Sequence, residues 1–157
     1  MDGKVYMTFE RVKEIEEEIH HLKSVERKKV AQKIADARSH GDLSENAEYD
    51  AAKEEQGLLE MKISKLESTL ARAEIIKPDE MPNDKIYILS NVKLKNLKMG
   101  GTVEYTMVSD EEADFEKRKL SITSPIGSAI MGKKIGDVVD VKVPAGAIKF
   151  EILDISR

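Results

Sequence analysis

The chain has 157 residues and a formal net charge of −4, with charged residues at 36%, aromatics at 4%, and neither Cys nor Trp. Disulfides and thiolate metal sites are thereby excluded, the net charge argues against bulk attraction to nucleic acid, and no apolar run approaches the ~20 residues that span a bilayer. What remains is a water-facing, helix-rich composition with a modest core, long enough for one domain or two small ones.

Glu and Lys run through the first twenty residues, which argues against a signal peptide and leaves a cytoplasmic protein without membrane contact as the expectation. Thr8 is a good N-cap for a first helix. Val12, Ile15, Ile19 and Leu22 follow at 3, 4, 3 spacing, the seam of a heptad, with Lys13, Glu14, Glu16, Glu17, Glu18 and Lys23 on the outer faces. The pattern loosens over Ser24 to Lys29 and resumes at Val30, Ile34 and Ala37. Gly41, which accepts positive φ, is predicted to end this helix. A second helix is predicted from Ser44 or Glu45 to about Ile76, carried by Leu59, Ile63, Leu66, Leu70 and Ala73. The two apolar series mirror each other: Val12 with Ala73, Ile15 with Leu70, Ile19 with Leu66, Leu22 with Ile63 and Ile34 with Ala51 all have numbers that sum to 85. A constant sum is the signature of a chain folded back on itself, so the first half reads as an antiparallel helical coiled-coil hairpin with its apex between Asp42 and Leu43. Each arm is ~30 residues and thus roughly 45 Å long. Small residues near the turn (Ala37, Ala47, Ala51, Ala52) predict a slim tip.

Residues 76–84 contain Pro78 and Pro82 and read as a hinge. The predicted organisation is therefore a hairpin over 1–77, a linker over 78–84 and a second domain over 85–157. In that second part the period changes to 2, predicting short strands at Ile86–Leu89, Val92–Leu97, Thr102–Val108, Leu120–Thr123, Val138–Val143 and Ile148–Ile155. SPIGSAIMG is a complete short-helix signal, with Ser124 as cap, Pro125 in the first turn and Gly132 as stop. The predicted class is α+β: a helical hairpin, then a small twisted antiparallel sheet packed on one helix.

Charge is unevenly placed. From Asp36 to Glu55 the acids Asp36, Asp42, Glu45, Glu48, Asp50, Glu54 and Glu55 face only Arg38 and Lys53, whereas Lys23, Arg27, Lys28, Lys29 and Lys33 cluster around the single Glu26. Asp42 and Glu45 lie at i, i+3 across a loop-to-helix junction. They could share one face and reach a hard cation such as Mg²⁺, although two exposed carboxylates alone hold it poorly and need ligands from a partner. The same pair fits a D-x-x-E capping box at a helix start. The basic run is either a solvated helix face or a contact for nucleic acid or a partner. Tyr49 could stack on a base or simply pack, and His40 is expected to be exposed rather than catalytic. Three histidines make no zinc motif, and Gly127, Gly132 and Gly136 do not have phosphate-loop spacing.

The run GDLSENAEYDAAKEEQG (Gly41 to Gly57), preceded by Ala37 and Arg38, closely resembles the signature of the bacterial Gre transcript-cleavage factors, and GreA more than GreB. A second signature follows in DEEADF (Asp110 to Phe115) and SPIGSAIMGKKIGDVV (Ser124 to Val139), so the similarity spans essentially the whole chain. The resemblance implies a factor that acts as a monomer, with an FKBP-like second domain that docks on the rim of the secondary channel of RNA polymerase while the coiled coil enters the channel. It implies that Asp42 and Glu45 match the family's tip acids and help hold a second Mg²⁺ when the RNA 3′ end of a backtracked complex is extruded. The factor then needs no active site or cofactor of its own. Arg38, Asn46, Glu48, Tyr49 and Lys53 become expected tip supports, and Arg27, Lys28, Lys29 and Lys33 expected contacts to RNA or polymerase. Asp114, Phe115, Ser124, Pro125 and Ile126 become expected docking residues. Ser44 stands where some relatives carry a basic residue. Three alternatives stay open: a channel-binding relative that inhibits without cleavage, a prolyl isomerase or chaperone built on the FKBP-like half, and a structural or RNA-contacting arm whose tip acids have no role.

Overall fold

The computed structural model describes residues 3–41 and 46–157. The chain divides into two units, Glu10–Arg72 and Met1–Phe9 with Ala73–Arg157.

The first unit is the hairpin. Its first arm comprises α1 (Phe9–His21), a π-helical turn at Leu22–Glu26 and α2 (Arg27–Arg38); its second is α3 (Ala47–Ala71). Ile15, Ile19, Leu22, Val30, Ile34 and Ala37 are buried on one side, Ala52, Ile63 and Thr69 on the other. Near the apex Val30, Ile34 and Ala52 form a small cluster against Tyr49 and Leu59, so Ala52 rather than the expected Ala51 is the buried alanine there. The loosened pattern at Ser24 to Lys29 has a physical cause. Leu22 to Val30 is eight residues, one more than a heptad, and the wider π turn takes up the additional residue so that Val30, Ile34 and Ala37 return to the seam. Ser24 Oγ donates to the His20 carbonyl at 2.7 Å within this turn. Ion pairs clasp the arms at Glu18–Lys62 (3.3 Å), Lys23–Glu67 (3.2 Å), Arg27–Glu60 (2.7 Å) and Lys33–Glu55 (2.9 Å).

Both helix limits differ from expectation. The first arm leaves α-helix after Arg38, before Gly41, although Gly41 has the positive φ expected of it. α3 stops at Ala71, and Ala73–Ile75 becomes a strand, β2, that pairs in parallel with β1 (Val5–Met7). The pairing wins over helix continuation because Val5 and Met7 are fully buried, and Ile76 N–H donates to the Met7 carbonyl at 2.9 Å. By their contacts, residues up to Phe9 and those from Ala73 group with the second unit.

The second unit holds a five-stranded sheet in the order β5-β4-β3-β7-β6, from β3 (Asn91–Asn96), β4 (Thr102–Val108), β5 (Lys119–Ser121), β6 (Val138–Val143) and β7 (Gly146–Ser156). It is mixed rather than wholly antiparallel, because β5 joins β4 in parallel. Val92, Leu94, Met107, Val139, Val141, Phe150, Ile152 and Ile155 form its inner face with Ile86 and, from α4 (Pro125–Ile130), Ile130. A bulge opposite Lys93/Leu94 skips one residue of β7, which lets Ile152 and Ile155 face the same core despite their odd spacing. The strand expected at Ile86–Leu89 is absent: Leu89 has φ 69, and Ser90 N–H turns back to the Tyr87 carbonyl at 3.2 Å.

Candidate functional site

Asp42, Leu43, Ser44 and Glu45 lie outside the described residues, so the tip acids and the capping alternative for Asp42 with Glu45 are framed here by their neighbours. α3 takes its cap from Asn46. The Asn46 backbone is extended, and its side-chain Oδ1 accepts from Tyr49 N–H at 3.1 Å. The same amide's Nδ2 donates to the Ala37 carbonyl at 2.6 Å, joining the start of α3 to the end of α2. A second link lies alongside, His40 Nδ1 to Glu48 Oε2 at 2.7 Å. The Arg38 guanidinium sits 5.8 Å from the centre of the Tyr49 ring, within cation–π range. Lys53 Nζ donates to Gln56 on its own helix at 2.9 Å. Behind the apex a shallow groove of about 320 Å³ has Ala37, Ala51 and Ala52 as its floor and Lys33, Asp36, Glu48 and Glu55 as its rim. Of the alanines near the helix ends, Ala37 and Ala52 are the buried ones.

Of the expected tip supports, Arg38, Asn46, Glu48 and Tyr49 thus make contacts that join or flank the two helix ends, whereas Lys53 does not reach the other arm. His40 was read only as exposed. Its number and that of Glu48 sum close to the mirror constant, and that signal could have paired them. The basic run has an intramolecular role. Arg27 grips Glu60 through two hydrogen bonds of 2.9 and 2.7 Å, holding the Glu60 carboxyl below its ordinary range. Lys33 and Lys23 span the arms similarly, and Lys29 lies 3.6 Å from Glu26. Lys28 makes no ion pair among the described residues, and its side chain is open to solvent.

Asp42 and Glu45 offer hard oxygen ligands suited to Mg²⁺. Glu48, the nearest described acid in sequence, is engaged by His40, and no group of three or more His, Asp or Glu side chains converges among the described residues.

In the second unit, Asp110 accepts from Ser121 Oγ and from Thr123 Oγ1 (2.8 Å), which ties the first half of the second sequence signature to the residues just before its second half and holds the Asp110 carboxyl below its ordinary range. Asp114 accepts from the N–H groups of Glu116 and Lys117, shaping the turn at which Phe115 is 85% exposed. Ser124 caps α4, accepting from Gly127 N–H at 3.0 Å, with Pro125 at its first position; Ile126 packs against the sheet core. Of these docking candidates, Phe115 and Pro125 are exposed, Phe115 almost wholly so. A cavity of about 660 Å³ lies on the polar face of the sheet, lined by Lys93, Glu104, Thr106, Arg118 and Asp154 among others, with Tyr105 its sole aromatic. It is unlike the aromatic-lined pocket that a prolyl isomerase requires. No helix among the described residues is long and apolar enough to cross a membrane.

Residues 5–75 match the family described as "Transcription elongation factor, N-terminal", and residues 81–157 that described as "Transcription elongation factor, GreA/GreB, C-term". Transcription elongation factor GreA of Flavobacterium johnsoniae is 52% identical over 152 residues, covering 97% of this chain and 96% of the relative. The protein of the same name from Chlorobaculum parvum is 51% identical over 156 residues, covering 99% and 98%. Among solved structures, GreA factor homolog 1 (Gfh1) of Thermus thermophilus aligns over 98% of this chain and 99% of its own at 26% identity, with a TM-score of 0.44.

Proposed function

The chain belongs to the GreA/GreB family of transcription elongation factors, and on that premise we propose that it binds RNA polymerase, inserts its hairpin into the secondary channel and stimulates cleavage of the nascent RNA 3′ end in backtracked complexes. The hydrolytic centre is the polymerase's, and this chain brings no independent active site. The observation that carries the reading is the apex: two helix ends tied by Asn46 directly beside the sequence that holds Asp42 and Glu45. α3 alone has 25 residues, about 37 Å, and its narrow alanine-floored end suits a confined passage.

A bound Mg²⁺ neutralises developing charge on the attacking and leaving oxygens of a phosphodiester. Asp42 and Glu45 would add carboxylate oxygens to a Mg²⁺ shared with the polymerase and so raise its occupancy. Phe115, exposed on a turn shaped by Asp114, supplies an apolar contact for docking on the polymerase.

The test is gel analysis of RNA released from a stalled polymerase, with and without this protein and Mg²⁺. Wild type is expected to release short 3′ fragments, while Asp42→Asn and Glu45→Gln compete for polymerase normally yet release none. Full cleavage by either neutralised variant would overturn the assignment.

A further inference from the structure

Asn46 does two things at once. Its Oδ1 caps α3 through Tyr49 N–H, and its Nδ2 reaches back to the Ala37 carbonyl at 2.6 Å. Ala37 lies in the last turn of α2, where carbonyls lack helical partners, and its oxygen also accepts from His40 N–H at 3.2 Å. A side-chain amide carries both a donor and an acceptor on one short stem; a carboxylate accepts only, and Gln is a methylene longer. The neighbouring His40–Glu48 link joins two well-exposed side chains and is correspondingly weak. Asn46 is half-buried, so its bonds are the better shielded of the two links.

We propose that Asn46 is the positioning residue of the apex, holding the end of α2 to the start of α3 on either side of the sequence that carries Asp42 and Glu45. This rests on the functional reading above for its effect on cleavage, but not for its effect on structure. Asn46→Asp separates the two roles. A carboxylate still caps α3 and suits the positive end of the helix dipole, but it has no N–H for Ala37 and turns oxygen toward oxygen.

The experiment uses the full chain with two readouts. Spin labels on Asp36 and Asp50, both exposed, report the distance between the helix ends. Cleavage in stalled polymerase complexes at saturating factor is followed across a Mg²⁺ titration. Asn46→Asp is expected to keep the helix content and polymerase affinity of wild type and to broaden the spin-label distances. It is expected to cut cleavage about tenfold or more, with a higher Mg²⁺ midpoint. Unchanged distances overturn the proposal, as does cleavage at the wild-type level, or cleavage lost only in proportion to lost binding. If Asn46→Asp fails to fold, Asn46→Ser, which caps without the reach to Ala37, decides by the same criteria. Absence of cleavage with wild type would instead sink the functional reading, and the spin-label distances would still judge the clasp.

Discussion

Replacing glycine by alanine in a helix ordinarily stabilises it, by about 1 kcal/mol, because alanine loses less backbone freedom on folding. Gly57 in α3 is exposed, and an added Cβ there meets nothing within 4 Å, so Gly57→Ala is expected to stabilise by about that amount. Gly127 in α4 reverses the sign. A Cβ there would fall inside the Ser121 carbonyl oxygen, 3.0 Å from the carbonyl carbon and 2.8 Å from Ser124 Oγ. The carbonyl has no room to retreat, because it accepts from Ser124 N–H at 3.2 Å and from Ser124 Oγ at 2.7 Å, and that same hydroxyl caps α4. Relieving the clash means forcing the backbone apart, at about 1–3 kcal/mol, and losing the cap, about 1 kcal/mol more. Against the favourable helix preference the net is a loss of about 2 kcal/mol. For a unit of this size that lowers Tm by roughly 8–16 °C. Differential scanning calorimetry of the two variants beside wild type reads both signs. A Gly127→Ala protein that melts at or above wild type would refute the packing argument.

Arg27→Ala is expected to destabilise the hairpin at low salt, by a deficit that shrinks as NaCl approaches ~1 M, where charges are screened within ~3 Å; a salt-independent deficit would show that the Arg27 stem rather than its charge matters. Asp110 titrates lower in the folded chain than in the unfolded one, because Ser121 and then Thr123 donate to its carboxylate. Its contribution is therefore complete above the unfolded value near ~3.9 and disappears as pH falls through the lower folded value. Asp110→Asn should lower stability at neutral pH and make the acid limb of the stability curve less steep, which denaturant titrations over that range would test; parallel limbs would contradict the assignment.

The hairpin was legible because burial on two facing helices must repeat with a constant sum, and the ion pairs Arg27–Glu60 and Lys33–Glu55 between the arms stay within three of it. The short helix α4 was legible because capping is local chemistry, with Ser124, Pro125 and Gly132 in sequence around it. What escaped was decided at a distance. The three-residue strands β1 and β2 are too short for any period, and Ala73 fitted the heptad well enough to disguise the end of α3. The strand expected at Leu120–Thr123 is present as β5, but its parallel direction depends on a partner that Lys119–Ser121 do not announce. Ile86–Leu89 alternates like a strand, but Leu89 adopts a positive φ and turns the chain. At the apex, the acids stood out by charge alone, whereas the Asn46 bridge needs the position of Ala37, a residue nine places earlier.

The π turn at Leu22–Glu26 sits in one arm only; α3 runs opposite without a matching irregularity. Each residue of an α-helix rotates the chain by about 100°. The turn therefore acts as a phase correction, made once, for everything beyond it. Arg27 and Lys33 find Glu60 and Glu55, and the Ala37 carbonyl finds Asn46, only with that correction in place. Aim at the apex is thus set about 20 Å back along the arm, and a residue gained or lost between Leu22 and Glu26 would turn the far end away from its partners without touching any of them.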